Sequence, residues 1–219
     1  MIPHNHIRIL ILGDSGVGKS TFVYSFINGY TVKKMIYPTV GVNVDPTKII
    51  YQNIEYKLFF YDCSGQDKYK HFISNYYRDL NCIIFMYDLT SSESKDKIKT
   101  LINDAKETLS SKYNRNINDI CCTIIGNKYD LLVNMNDNEK NDILNQCKAL
   151  SEDTNMSVIL CSSKQKLESY TSRSCIYCII HDLYEYHKDE IVPMVTESNI
   201  ILKKNEEIEN DDNCACISQ

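Results

Sequence analysis

The sequence predicts an α/β fold: a six-stranded, mostly parallel sheet with one antiparallel strand and helices on both faces. Three observations point there. Short apolar runs alternate with segments of helical period, the pattern of strands joined by covering helices. Several runs, Ile7–Leu12 and Cys82–Tyr87 among them, are almost continuously apolar, as strands buried on both faces are. A glycine-rich stretch, GDSGVGKST, stands between the first apolar run and the first amphipathic segment.

The elements follow in order. The first strand is placed at Ile7–Leu12, and Phe22, Val23, Phe26 and Ile27 share the face of the helix after it. Strands at Thr47–Tyr51 and Tyr56–Tyr61 are split only by Gln52-Asn53-Ile54-Glu55, which suits a hairpin and supplies the antiparallel pair. Cys82–Tyr87 is the fourth strand, and Leu101, Ile102, Ala105 and Leu109 line the next helix. Cys121–Ile125 is the fifth, with Ile143, Leu144, Cys147 and Leu150 on the helix behind it. Val158–Cys161 is the sixth, and Ile176, Ile179, Ile180 and Leu183 mark the last helix at i, i+3, i+4 and i+7. From Lys188 the pattern fades. Between Lys203 and Asn213 two lysines face five acids, the composition of a solvated tether. The chain is therefore divided into one domain, 6–187, and a tail, 188–219.

Hydrophobic residues make up 43%, enough for a full core, and 24% are charged, so the body is not disordered by composition. The net charge of −5 comes without a basic stripe, which argues against a nucleic-acid partner. Cys82, Cys121, Cys122 and Cys161 lie in apolar runs, where cysteine behaves as a small buried hydrophobe. The N-terminal apolar run is shorter than a signal core and far shorter than the about 20 residues that span a bilayer. Ile2 rather than Gly excludes N-myristoylation. A cytosolic chain with free thiols is expected.

In an open α/β sheet, ligands bind beyond the carboxyl ends of the strands. After the first strand, Gly13, Gly18, Lys19 and Ser20 occupy the defining positions of G-x-x-x-x-G-K-[ST]. The glycines let backbone N–H groups curl around a phosphate, Lys19 adds a point charge, and the Ser20 hydroxyl can ligate Mg²⁺. Ser15, Gly16, Val17 and Thr21 complete the expected phosphate-binding loop. After the third strand comes YDCSGQD: Asp62 is placed to hold Mg²⁺ through water, Gly65 to offer an N–H to a γ-phosphate, and Gln66 to orient an attacking water. After the fifth comes NKYD. Asp130 can accept from the N1–H and exocyclic amine of guanine, a donor pair that adenine lacks. Lys128 can lie along the base and Asn127 can brace the phosphate loop. After the sixth, Ser162-Ser163-Lys164 can bring a backbone N–H to the guanine O6 and cover the ring's other face.

These motifs, in this order and each at a strand end, resemble the Ras-like small GTPases, most of all the Rab family, from about His6 to Tyr186. YYRDL (Tyr76–Leu80) resembles the Rab YYRGA, and MYDLTS (Met86–Ser91) the Rab VYDIT. The resemblance implies a P-loop NTPase small G domain that binds GTP or GDP with Mg²⁺ and hydrolyses GTP, slowly without an activating protein. It makes Thr39, in YPTVGV, the switch I threonine that joins Ser20 and Asp62 around Mg²⁺, and Gln66 the catalytic glutamine. It implies a monomer with an exchange factor, a GTPase-activating protein, a prenyl-binding chaperone and effectors that touch the switches.

Departures are visible. The step from Lys19 to Thr39 is one residue longer than is usual in Rabs, and Tyr30 and Tyr37, the candidate guanine-stacking and switch I aromatics, are displaced. Tyr61 stands for the usual Trp, Val44 for an aromatic, and Cys63-Ser64 for Thr-Ala. Two of the three positions that Rab effectors read (Val44, Tyr61, Tyr76) are altered, so an atypical partner set is expected. The final CACISQ fits either C-a-a-X prenylation at Cys216 or the Rab-type double geranylgeranylation of Cys214 and Cys216. Both imply a lipid anchor; with the Rab resemblance the expectation is a switch on the cytoplasmic face of an intracellular membrane, cycling with the cytosol, in vesicle traffic. A Ras-like signalling role and a non-hydrolysing GTP-binding scaffold are the alternatives.

Overall fold

The computed structural model describes residues 5–29, 37–167, 170–187 and 216–217. Strands β1 (His6–Gly13), β2 (Val42–Tyr51), β3 (Ile54–Cys63), β4 (Cys82–Asp88), β5 (Cys121–Asn127) and β6 (Val158–Leu160) form one sheet in the order β2-β3-β1-β4-β5-β6. The β2–β3 pair is antiparallel and the other pairings among these six are parallel, as the sequence predicts. To the β6 edge the tail adds β7 (Cys216–Ile217), two residues antiparallel to Val158 and Ile159. A composition too polar for a core gave no sign of this pairing, which uses main-chain groups rather than side chains.

Helices α1 (Lys19–Asn28) and α5 (Ser172–His187) cover one face; α2 (Lys70–Ile73), α3 (Ser92–Tyr113) and α4 (Asp137–Thr154) cover the other. β1 shows how the sequence divides between them. Ile9 and Ile11 pack with Phe22, Ile84 and Ile176 on the α1/α5 side, while Leu10 and Leu12 pack with Phe85, Ile98 and Ile102 on the other. Both sets are buried, so no alternation of polarity remains to be read. Each such side chain taken out of water contributes about 1.5–3 kcal/mol.

Two boundaries differ from expectation. β2 begins at Val42, not Thr47, because β3 runs on to Cys63 and offers a full antiparallel partner. Asp45 and Pro46 break the apolar pattern, but an edge strand tolerates both, needing ladder bonds on one side only. The hairpin is tighter than expected: Gln52 and Asn53 alone turn it, both at positive φ (48° and 61°), the arrangement of a type I′ turn.

Capping explains the long helices. Ser91 accepts from the Ser94 N–H at the start of α3, and Asn136 from the Glu139 N–H at the start of α4. Both helices end at an asparagine in the left-handed region, Asn114 and Asn155. Cys63, Cys82, Cys147, Cys161 and Cys175 are buried free thiols, and Cys121 and Cys122 are half-buried ones. Cys178 departs from the expectation of free thiols: it is disulfide-bonded. Among the described residues no helix is long and apolar enough to cross a membrane.

Candidate nucleotide and magnesium site

The carboxyl ends of β1, β3, β5 and β6 gather the predicted residues. Gly13 ends β1 against β4; a Cβ there would lie 2.2 Å from the Met86 carbonyl oxygen. The chain then turns through Gly16 (φ 78°) and Gly18 (φ 104°) into α1, whose first turn holds no acid and whose N-terminus no side chain caps. The first N–H groups of α1 thus remain for an anion. Ser15, Gly16, Val17 and Thr21 lie along this loop and first turn. The buried Lys19 ammonium donates to the carbonyls of Gly13 (2.9 Å) and Asp14 (2.8 Å), so it lies across the loop it would serve. Burial lowers its pKa from the ordinary lysine value, against the pull of the Asp62 carboxylate.

Ser20, Thr39 and Asp62 meet. The Thr39 hydroxyl donates to Asp62 Oδ2 (3.1 Å), and the Ser20 and Thr39 hydroxyl oxygens are 2.8 Å apart. Asp62 is 1% exposed, and its Oδ1 is buried with no hydrogen-bond partner. Desolvation raises the pKa of this carboxyl above the ordinary value, although the neighbouring Ser20 and Thr39 hydroxyls oppose the rise. Two hydroxyls beside a carboxylate with an unused buried oxygen form a hard, all-oxygen donor set, which suits Mg²⁺.

Gly65 packs on the phosphate loop so closely that a Cβ would fall 2.3 Å from the Ser15 nitrogen. Gln66 is exposed, its N–H 3.3 Å from the Ser64 hydroxyl, and it borders a cavity of about 420 Å³ that also reaches Lys70, Lys97, Leu101 and Asp104. Val44 and Tyr61 are cross-strand partners, and the rings of Tyr61 and Tyr76 lie 5.0 Å apart, so the three positions form one surface. Tyr37 is 77% exposed, while Tyr30 lies outside the described residues.

At the other end of the site, Asn127 joins three segments. Its amide donates to the Val17 carbonyl (2.8 Å), and its Oδ1 accepts from the Ser163 N–H (3.1 Å) and hydroxyl (2.9 Å). The N–H of Ser163 itself is thus held by Asn127. Asp130, buried at 8% exposure, accepts from the Ser162 hydroxyl at 2.8 Å. Lys128 takes a left-handed conformation and pairs with Asp88 at 2.7 Å; Lys164 is exposed. Desolvation would raise the Asp88 pKa, but hydrogen bonds from Lys128 and Thr90 bring it below the ordinary value.

Sequence reasoning missed two of these partners. Asp88 ends β4 within the MYDLTS stretch, to whose acid the sequence reading gave no role, yet it anchors Lys128. Lys97 on α3 pairs with Asp14 of the phosphate loop at 2.6 Å, a contact across 83 residues that no local pattern signals. Cys214 lies outside the described residues, and of Cys216 only the pairing in β7 is described.

A glycine-rich loop leading from a strand into a helix, a hydroxyl–carboxylate cluster beside it, and a buried carboxylate at the next strand ends define an α/β protein of the P-loop nucleotide-binding class. Residues 8–180 match the profile of the Ras family. The chain belongs to the Ras family, as a divergent Rab-like member. It is 30% identical over 158 residues to Ras-related protein Rab-1 of Theileria annulata, covering 72% of this chain and 66% of that one. It is 27% identical over 124 residues to human Ras-related protein Rab-37 (57% and 52%), and 32% identical over 127 residues to GTP-binding protein YPTM2 of Zea mays (58% and 59%). The matched region thus spans between about half and two thirds of these relatives' own lengths.

Proposed function

We propose that this chain is a Rab-like GTPase, a lipid-anchored switch of vesicle traffic that hydrolyses GTP to GDP and phosphate. The observation that carries the reading is the meeting of Ser20, Thr39 and Asp62 beside the phosphate loop, with an oxygen of Asp62 left without a partner. Residues 6–187 act as the nucleotide-binding domain and 188–219 as the tail. Lys19 and the loop N–H groups hold the β- and γ-phosphates, and Mg²⁺, when bound, neutralises charge on their oxygens. Asp130 and the Ser162–Lys164 loop take guanine, and Gln66 orients the attacking water. Loss of the γ-phosphate removes what Thr39 and Gly65 would hold, which frees the switches for exchange factor, activating protein and effectors. Thr39 already beside Ser20 and Asp62 favours a working switch over a scaffold. Multiple-turnover phosphate release from GTP tests this: wild type should cycle, and Gln66→Leu should slow release at least about tenfold, one factor of ten in barrier terms. A wild type that binds GTP and never releases phosphate would leave the scaffold.

The tail supplies the anchor. It has no polybasic run, and its acids repel an anionic leaflet, so stable anchoring requires two lipids. Geranylgeranyl groups on both Cys214 and Cys216 are expected in the intact mass of the protein from its own cells. A single farnesyl on Cys216, with the last three residues removed, would move the chain to the signalling branch.

A further inference from the structure

The base-recognition end holds an aromatic pair that no nucleotide-binding motif calls for. Tyr129 fills the variable position of NKYD, between Lys128 and Asp130, and is 7% exposed. Tyr170 lies just before α5. Their rings stack with centroids 4.0 Å apart and planes 21° from parallel, and the Lys140 ammonium sits 5.6 Å from the Tyr129 centroid. The pair ties together the two loops that carry Asp130 and Ser162. The Tyr170 carbonyl accepts the Ser162 N–H at 2.7 Å, and Thr171 pairs with Ser162 in a parallel bridge. The Tyr129 N–H donates to the Cys161 carbonyl at 3.0 Å. The Ser162 hydroxyl then reaches Asp130 Oδ1. The chain of contacts closes on itself, from Tyr129 through Asp130, Ser162 and Tyr170 back to Tyr129.

A carboxylate reads guanine only if both oxygens face the two donors of the base, so its rotation about the side-chain bonds must be fixed. One hydroxyl fixes it here, and that hydroxyl is placed by the backbone of Ser162, which is wholly buried. We infer that Tyr170, through its stack on Tyr129, is a positioning residue for guanine selectivity: it holds Ser162 so that Asp130 is aimed at the N1–H and 2-amino groups of the base. The inference rests on the guanine-nucleotide reading above.

The test compares GDP with inosine diphosphate, which keeps N1–H and lacks the 2-amino group. Wild type should prefer GDP by about ten- to a hundredfold, the effect of one buried acceptor left without its donor. Tyr170→Ala should weaken GDP binding and cut the preference at least about fivefold, because a misaimed carboxylate gains little from the second donor. Tyr170→Phe keeps the ring and should keep the ratio. Tyr170→Leu, which retains apolar volume, should lower the ratio if the alanine variant does not fold. Ser162→Ala should give the same fall, and the double variant no further fall, since both act in one chain of contacts. General loosening would weaken both nucleotides equally. An unchanged ratio in folded Tyr170→Ala or Tyr170→Leu overturns the inference while the guanine reading stands. A wild type without preference between the two nucleotides overturns both.

Discussion

Gly65→Ala should bind GDP within about threefold of wild type yet hydrolyse GTP about a hundredfold more slowly, the usual result of displacing a reacting group by about an ångström. The added methyl would lie 2.3 Å from the Ser15 nitrogen, 2.4 Å from the Asp14 carbonyl carbon and 2.6 Å from its oxygen. All three are backbone atoms of the phosphate loop, and that loop cannot give way. Lys19 holds the same Asp14 carbonyl from inside, and Asn127 holds Val17 from the β5 side. The segment carrying Gly65 must withdraw, and Gln66 withdraws with it. Gly16→Ala is the control. A Cβ at Gly16 meets nothing within 4 Å, so the cost there is only that of a positive φ, about 1 kcal/mol. Single-turnover phosphate release, with GDP affinity measured alongside, separates the two variants. Wild-type hydrolysis by Gly65→Ala would mean that the close packing of Gly65 is no part of the working site.

Asp62→Asn should uncouple nucleotide binding from magnesium. In wild type, chelating Mg²⁺ should speed GDP release about a hundredfold, because the cation offsets charge on the phosphate oxygens in a poorly solvated site. The asparagine keeps the shape and accepts from Thr39 through one oxygen, but it brings no negative charge to the cation. Release from this variant should be fast with or without chelator. Lys19 is not left without a partner, since its two hydrogen bonds go to carbonyls of the loop itself. A variant that still needs chelator for fast release would remove Asp62 from the metal site.

Much of this arrangement is legible in the sequence because its parts are local. The phosphate loop, the Asp62–Gln66 turn and the Asn127–Asp130 turn are each a few consecutive residues at the end of an apolar run. Their chemistry can be read without knowing what lies opposite. What escaped is of two kinds. α2 and the short helical turns around it fall in DKYKHFISNYYRD, where polar and aromatic residues alternate without helical period. They are shaped instead by α3, whose Tyr113 hydroxyl donates to the Ser74 carbonyl (2.9 Å) and whose Lys112 reaches Ser74 and Asn75. The other kind is contact between distant segments: Lys97 with Asp14, Lys128 with Asp88, Tyr170 with Tyr129. Each joins two loops or helix faces that only the folded sheet brings together, so no periodicity records it.

The buried cysteines have a bearing on how this domain meets electrophiles. Alkylation requires a thiolate. Burial pushes the Cys63 and Cys147 thiols up, and the Cys122 thiol to about 12. At neutral pH thiols raised in this way stay protonated, so the folded domain is a poor target at these positions. The same cysteines become ordinary nucleophiles once a strand or helix opens. Each adduct at Cys63 or Cys147 therefore counts an opened molecule, and a ligand that binds only the closed form slows the count in proportion to its occupancy. The domain carries its own clock for opening, set by where its sulfur atoms are buried.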